Sequence, residues 1–360
     1  YFESHPEYFA LRDGKRQPTE PCLSNPDVFR IVVENLRTAM AVNPKARYWS
    51  VSQMDNGEPC MCDQCKALDD REGSPAGSVL TFVNKVAAEF PDKIISTLAY
   101  WYTMCPPKTV RPAKNVHIMM CYDWNPREPY HGYFLGWSKI APRMYVWHYV
   151  IPCHNIIAPW PNLLLLQSQF KEAIAQGATG TFVEGSYEPG SEFAELRAYL
   201  LAKILWGPSC DIDAIMNDFL NGYYGAAGPV IRKYIDAMHE SLTTTGDALD
   251  GHDWCAQHAG TFLAPAMLAE YDAIFDEAEK AVADDRELLL RVQHARMPLM
   301  HAELQLGYGD VDTRIALAER LLHIAKRTQT PFFWDFGNRP TDQYMAEVMD
   351  ALQKEKAGKQ

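Results

Sequence analysis

The sequence predicts an α/β protein, a parallel sheet or barrel, followed by an all-helical region. Three observations carry this. Five short runs rich in β-branched and aromatic residues lie before about Gly207, the composition expected of strands. Helical spacing fills gaps between them, and strand–helix alternation is the mark of parallel α/β architecture. From about Cys210 onward the strand-like runs vanish and only helical spacing remains.

The five runs are Arg47 to Met54, Lys93 to Thr103, Asn115 to Cys121, Arg143 to Val150 and Thr179 to Glu184. Each ends in polar residues or proline. Between the first two, Ser78 to Phe90 sets Val79, Phe82, Val83, Val86 and Ala87 on one helical face, and Asn162 to Gln176 behaves similarly. The link between Thr103 and Asn115 carries three prolines and holds no regular helix. Beyond the strands, helices are expected over Asp211 to Tyr223, Ala227 to Ser241, Ala264 to Ala283, Asp285 to Leu306, Val311 to Thr328 and Thr341 to Lys354. Asp211 and Asp213 supply N-cap chemistry, and Gly225 to Pro229 separates the first two of these helices. The expected division is a β/α portion over residues 1–207 and a helical domain over 208–360.

At 360 residues the chain has room for about two domains. Hydrophobic residues make up 47% and charged residues 22%, the balance of a folded chain. Net charge is −12, which excludes nucleic acid and anionic membrane surfaces as natural partners. The longest apolar runs, such as Leu163 to Leu166, fall far short of the ~20 residues of a membrane span. Nine cysteines do not identify a redox compartment, and Cys105, Cys121 and Cys153 read as buried free thiols.

In parallel α/β folds ligands sit at the carboxyl ends of the strands, so the residues there are the candidates. The first strand runs into Gln53, Asp55 and Asn56, and the second into Trp101 and Tyr102. Asp123, Trp124, Arg127 and Glu128 follow the third. The fourth ends in Trp147, His148 and Tyr149, and the fifth in Glu184. Carboxylates, amides and aromatic rings on one rim suit cleavage of a glycosidic bond. Two carboxyl groups do the acid, base or nucleophile work, amides hold hydroxyls, and aromatic faces stack on sugar rings. Asp55, Asp123 and Glu184 are the catalytic candidates. Gln53, Asn56, Trp101, Tyr102, Trp124, Arg127, Trp147, His148 and Tyr149 are the expected sugar subsites. No GxSxG, HExxH, P-loop or GxGxxG pattern offers another chemistry.

Cys60, Cys62 and Cys65 stand within six residues. With a fourth ligand, such as Cys22 or a histidine, they could bind zinc. The cluster has no second CxxC pair, so loop thiols or a loop-stiffening disulfide are the expectation, with no metal and no cofactor.

Several segments resemble the bacterial domain-of-unknown-function family 4838: His5 to Leu11, Cys22 to Pro26, Trp49 to Asn56, the Cys60–Cys65 cluster with Glu72 to Ser78, Trp147 to Tyr149, Pro159 to Asn162, Glu192 to Lys203, and Gly222 to Gly225. The likeness spans about Tyr1 to Tyr234. It implies a glycoside hydrolase of (β/α)8, TIM-type fold, related in style to α-glucuronidases and β-hexosaminidases and close to glycoside hydrolase family 163, whose members act as endo-β-N-acetylglucosaminidases. It also implies an exported bacterial protein and an oligo- or polysaccharide substrate, with no nucleic acid and no membrane insertion. Five strands instead of eight then imply the C-terminal part of such a barrel, its first three strands absent. Relatives often carry Ile-Glu where this chain has Asp123-Trp124; if that Glu is catalytic, its role passes to Asp123 or Glu128 or is lost. Some relatives carry Asp at the position of His148. The alternative readings are an inactive carbohydrate-binding protein, an α-glucuronidase-like enzyme with Arg127 facing a uronate, and an interaction protein that works through its helices.

Overall fold

The computed structural model describes all residues except 123–128, 154, 186–189, 334–338 and 359–360. Two compact units emerge, one of Tyr1–His148 with Glu172–Val183, the other of Tyr149–Lys171 with Glu184–Gln360. The sequence boundary near Gly207 is one of texture, strands before and helices after, whereas these units follow spatial contact.

The first unit opens with a hairpin, β1 (Phe9–Arg12) and β2 (Lys15–Pro21), paired antiparallel. Helix α1 (Pro26–Val42) follows, capped by the Asn25 side chain, which accepts from the amides of Asp27 and Val28. Strand β3 (Tyr48–Ser50) leads through a loop to α2 (Asp63–Glu72) and α3 (Ala76–Glu89). Then come β4 (Ile94–Ala99), β5 (Val116–Cys121), α4 (Tyr130–Ile140) and β6 (Met144–Tyr149). Helix α5 (Leu166–Ala175) and strand β7 (Ala178–Glu184) complete the alternation. All five strands expected from the sequence are present, the first four trimmed at one or both ends and the fifth longer by Ala178.

They form one sheet in chain order, β3-β4-β5-β6-β7, with parallel pairing from β3 through β6. Helices α1, α3 and α4 pack on one side of this sheet. Strand residues alternate between faces. Ile95, Val116, Ile118, Met144 and Val146 join Val28, Val83, Val86 and Phe134 in the core beneath α1, α3 and α4. The opposite face carries Tyr48, Ser96, His117 and Tyr145, with the Ser96 hydroxyl 2.9 Å from His117 Nδ1 and the His117 and Tyr145 rings 4.3 Å apart. Burial, and then the Arg143 charge, push the His117 pKa down to about 4, so this layer is neutral packing. Gly180 on β7 is required here, because a Cβ would lie 2.6 Å from the Tyr145 ring.

The second unit is dominated by helices α6 (Ala194–Trp206), α7 (Ile212–Tyr224), α8 (Gly228–Thr245), α9 (Pro265–Ala281), α10 (Arg286–Leu306), α11 (Val311–Arg327) and α12 (Thr341–Gly358). Each packs against the next in chain order. Asp211, Asp285 and Asp310 cap α7, α10 and α11 through their side chains, and Gly246 and Gly307 end α8 and α10 in the left-handed conformation. Tyr234, Tyr271 and Phe275 pack ring against ring between α8 and α9. Among the described residues no helix is long and apolar enough to cross a membrane.

Candidate functional site

The loop after β3 and the turn after β4 meet at the carboxyl edge of the sheet. Gln53 joins them, its amide nitrogen donating to the Tyr100 carbonyl and to the Thr103 hydroxyl oxygen, both at 2.8 Å. Thr103 closes its own turn by accepting from the Tyr100 amide at 3.0 Å. The single 3-10 turn Trp101–Thr103 is thereby held with Trp101 at a φ of 48°, a left-handed conformation that a bulky residue adopts only under constraint.

That constraint has a visible product. The Trp101 indole nitrogen donates to Asp55 Oδ1 at 2.9 Å, and the Tyr100 hydroxyl donates to the same oxygen at 2.9 Å. Two donors on one oxygen fix the carboxylate plane, and Oδ2 makes no hydrogen bond among the described residues. Burial and then Asp55 push the Tyr100 pKa well up, so the phenol stays a donor. Trp101 is half exposed at 50%, leaving its ring available to a flat ligand.

Under the same loop lies Glu20, at the end of β2, accepting from the Met54 amide at 2.7 Å. Burial raises its pKa to about 6, against the opposing pull of the Met54 amide, Tyr102 and Asn56. A cavity of about 380 Å³ is lined by Glu20, Gln53, Tyr102 and apolar side chains of α1 and α3. Asn56 shapes the loop, donating to the Thr19 carbonyl at 3.2 Å and accepting from the Glu58 amide at 2.9 Å.

The first unit thus brings together Asp55, Gln53, Asn56, Trp101 and Tyr102 of the residues expected from the sequence. Gln53 and Asn56 bond to the protein itself, which makes them loop-positioning groups. Trp147 lies on the face opposite the helices, its ring 4.3 Å from Phe182. Strand alternation places His148 with Met144 and Val146 on the helix-covered face, where it is 1% exposed. Tyr149 and Glu184 end β6 and β7 and belong to the second unit, where the Glu184 carbonyl accepts from the Val150 amide at 3.1 Å. Asp123, Trp124, Arg127 and Glu128 lie outside the described residues. Tyr100 and Glu20 are the functional candidates that the sequence did not single out. Tyr100 had a signal, its place between strand β4 and Trp101. Glu20 had none, because β2 carries two prolines and no apolar alternation.

A family model described as a domain of unknown function, DUF4838, matches residues 1–236. The chain belongs to this family. No curated protein matches the sequence. Among solved structures, the DUF4838 chain is similar to a family GH115 4-O-methyl-α-glucuronidase with specificity for decorated arabinogalactans, at 13% identity and a TM-score of 0.47 over 91% of this chain and 46% of that one. It is also similar to Flavobacterium johnsoniae chitobiase, at 10% identity and a TM-score of 0.34 over 92% and 59%. The chain therefore spans about half the length of these two structures, and neither TM-score is high enough to assign a shared fold.

Proposed function

We propose that this DUF4838 chain is the C-terminal part of a glycoside hydrolase barrel, its five strands the fourth to eighth of eight, and that Asp55 works on the glycan at the strand ends. One observation carries the reading: a carboxylate at the carboxyl edge of a parallel sheet is fixed by two aromatic donors, one held in a strained conformation and half exposed. Strain kept at a surface loop beside a carboxylate is a feature of sites, because ordinary packing would relax it. An exposed indole beside an oriented carboxylate suits a sugar ring, whose apolar face stacks while a hydroxyl or acetamido group meets the oxygen. The family resemblance makes an N-acetylglucosamine-containing glycan the first substrate to try. In a substrate-assisted course Asp55 would orient the 2-acetamido group while a second carboxyl group protonates the leaving oxygen; the strand-end carboxylates named from the sequence, Asp123 and Glu184, are to be tested for that role.

The test is turnover of a fluorescently labelled complex N-glycan by the wild type and by Asp55→Asn, Asp123→Asn and Glu184→Gln. Loss of about 10²–10⁴-fold in kcat for Asp55→Asn, with unchanged folding, is the expected result. Glycan binding without turnover by the wild type would replace the hydrolase with a carbohydrate-binding protein. Full activity in Asp55→Asn would remove Asp55 from the mechanism.

A further inference from the structure

Cys22, Cys60, Cys62 and Cys65 form no disulfide, so the expected loop-stiffening disulfide is not formed. Instead the fold brings the four to one point. Cys22 leaves the end of β2, its amide donating to the Tyr8 carbonyl at 2.8 Å. Cys60 and Cys62 come from the loop after β3, and Cys65 from the first turn of α2. The Sγ atoms of Cys22, Cys60, Cys62 and Cys65 all lie within 4.8 Å of one another, and Cys22 and Cys62 are 3.6 Å apart. A disulfide would need about 2.05 Å. Four sulfurs about 2.3 Å from a central ion stand about 3.8 Å from each other at the corners of a tetrahedron. Their side chains are buried, at 3%, 6%, 9% and 2% exposure.

Hydrogen bonds join the hairpin to this loop, the Met61 amide donating to the Leu11 carbonyl at 2.9 Å and Arg12 to the Pro59 carbonyl at 3.2 Å, but the apolar packing between them is slight. Among the described residues these cysteines with Ala10 form a small cluster of their own, with Leu11 packed against it. So few small side chains bury too little apolar surface to hold a hairpin against a loop. The polar contacts fit a metal-bound thiolate instead. The Leu11 amide points at Cys60 Sγ (3.4 Å), the Ser24 hydroxyl is 3.3 Å from both Cys22 and Cys62 Sγ, and Arg16 lines the same recess as Cys22 and Cys62. Donors and a cation are what four thiolates around a divalent ion require, since the complex carries a net negative charge.

We propose that Cys22, Cys60, Cys62 and Cys65 bind one zinc ion as a closed structural site. The thiols release their protons to solvent as the ion binds, and four protein sulfurs leave no open position for substrate. The site ties β2 to the loop that carries Asp55. Glu20, two residues before Cys22, holds the Met54 amide, so zinc fixes both ends of the contact beneath the candidate carboxylate.

The test is the metal content of the full chain, expressed with zinc and purified without chelator, read by plasma mass spectrometry. About one zinc per chain is expected. Cys22→Ser and Cys65→Ser should lower it by roughly tenfold or more, while Cys105→Ser, outside the cluster, should keep it. Should those variants fail to fold, cobalt reconstitution of the wild type gives an independent readout, the absorption of a tetrahedral tetrathiolate. Three outcomes overturn the proposal: a metal-free wild type after reconstitution with zinc under reducing conditions, a disulfide among the four by peptide mass, or iron in place of zinc.

Discussion

Trp101 keeps a φ of 48° at a cost of about 1–3 kcal/mol, because Gln53 and Thr103 over-determine its turn. Glycine would adopt the same conformation freely. Trp101→Gly is therefore expected to change unfolding free energy by no more than about 1 kcal/mol, while glycan turnover or binding falls about tenfold or more as Asp55 loses a donor. Tyr100→Phe is the companion change: the ring remains, the other donor to Asp55 goes, and a similar loss is expected. Chemical denaturation beside a kinetic or binding assay separates the two effects. A large stability loss with intact function would make the indole a packing residue. At this scale sequence reasoning singled out Asp55 because polar residues after a strand are visible in one dimension. It did not find the contacts of Asp55 with Tyr100 and Trp101, which come from a segment some 45 residues away.

The segment between β4 and β5 illustrates what elements need from each other. Its prolines prevent regular structure, so its amides must find partners elsewhere. Glu72, on the last turn of α2, supplies them: its carboxylate accepts from the Thr109 amide (2.7 Å), the Thr109 hydroxyl (2.6 Å) and the Val110 amide (3.0 Å), and its carbonyl accepts from the Lys108 amide. Burial alone would raise this carboxyl, but these donors outweigh it and hold the pKa down at about 2. A folded pKa below the unfolded value of about 4.3 stabilises the protein above that value, and the gain disappears as pH falls through about 2. Some two pKa units correspond to about 3 kcal/mol. Glu72→Gln is accordingly expected to lose about 3 kcal/mol at pH 7, with the gap to wild type closing between pH 5 and pH 2. Urea unfolding at a series of pH values reads this directly, and a gap independent of pH would refute the carboxylate's role. Elements of this kind were unevenly legible. The five sheet strands stood out as β-branched and aromatic runs. The β1–β2 hairpin did not, since Lys15–Pro21 has two prolines and its pairing rests on backbone bonds. Helix α4 was hidden because Tyr130–Ile140 mixes two glycines with aromatics, residues of poor helix propensity that packing overrides.

At the scale of the whole chain, the change in texture near Gly207 was plain, but the path of the chain through its two units was not. Residues 149–171 belong with the helices from 184 onward although the end of α5 and nearly all of β7, residues 172–183, intervene, and no local pattern encodes such a return. What holds that excursion in the second unit is a buried clasp. Glu192 accepts from the Trp160 amide at 2.9 Å, while Arg197 donates to Asn162 Oδ1 (3.1 Å), the Trp160 carbonyl (3.4 Å) and the Glu192 carboxylate (3.5 Å). Asn162 in turn donates to the Val150 carbonyl at 2.9 Å. Both charged side chains are almost fully buried. Burial raises the Glu192 pKa to about 7, with Arg197 and the Trp160 amide pulling it back. Removing one partner of such a pair leaves a charge without compensation, and Arg197→Met is expected to cost about 3–5 kcal/mol. The loss should depend on pH in a definite direction. A carboxyl whose folded pKa lies above its unfolded value favours the fold at low pH and loses that contribution as pH rises through the folded value. Without Arg197 the folded pKa of Glu192 climbs further, so the variant should be most destabilised near pH 8 and recover as Glu192 takes up its proton toward pH 5. The double variant Glu192→Gln/Arg197→Met should regain part of the loss, since no charge is then stranded. Hydrogen exchange should find the amides of residues 155–166 deprotected in Arg197→Met at pH 8 and protected again in the double variant. Protection that survives in Arg197→Met would mean that apolar packing of Trp160 and Leu163 holds the excursion without the clasp.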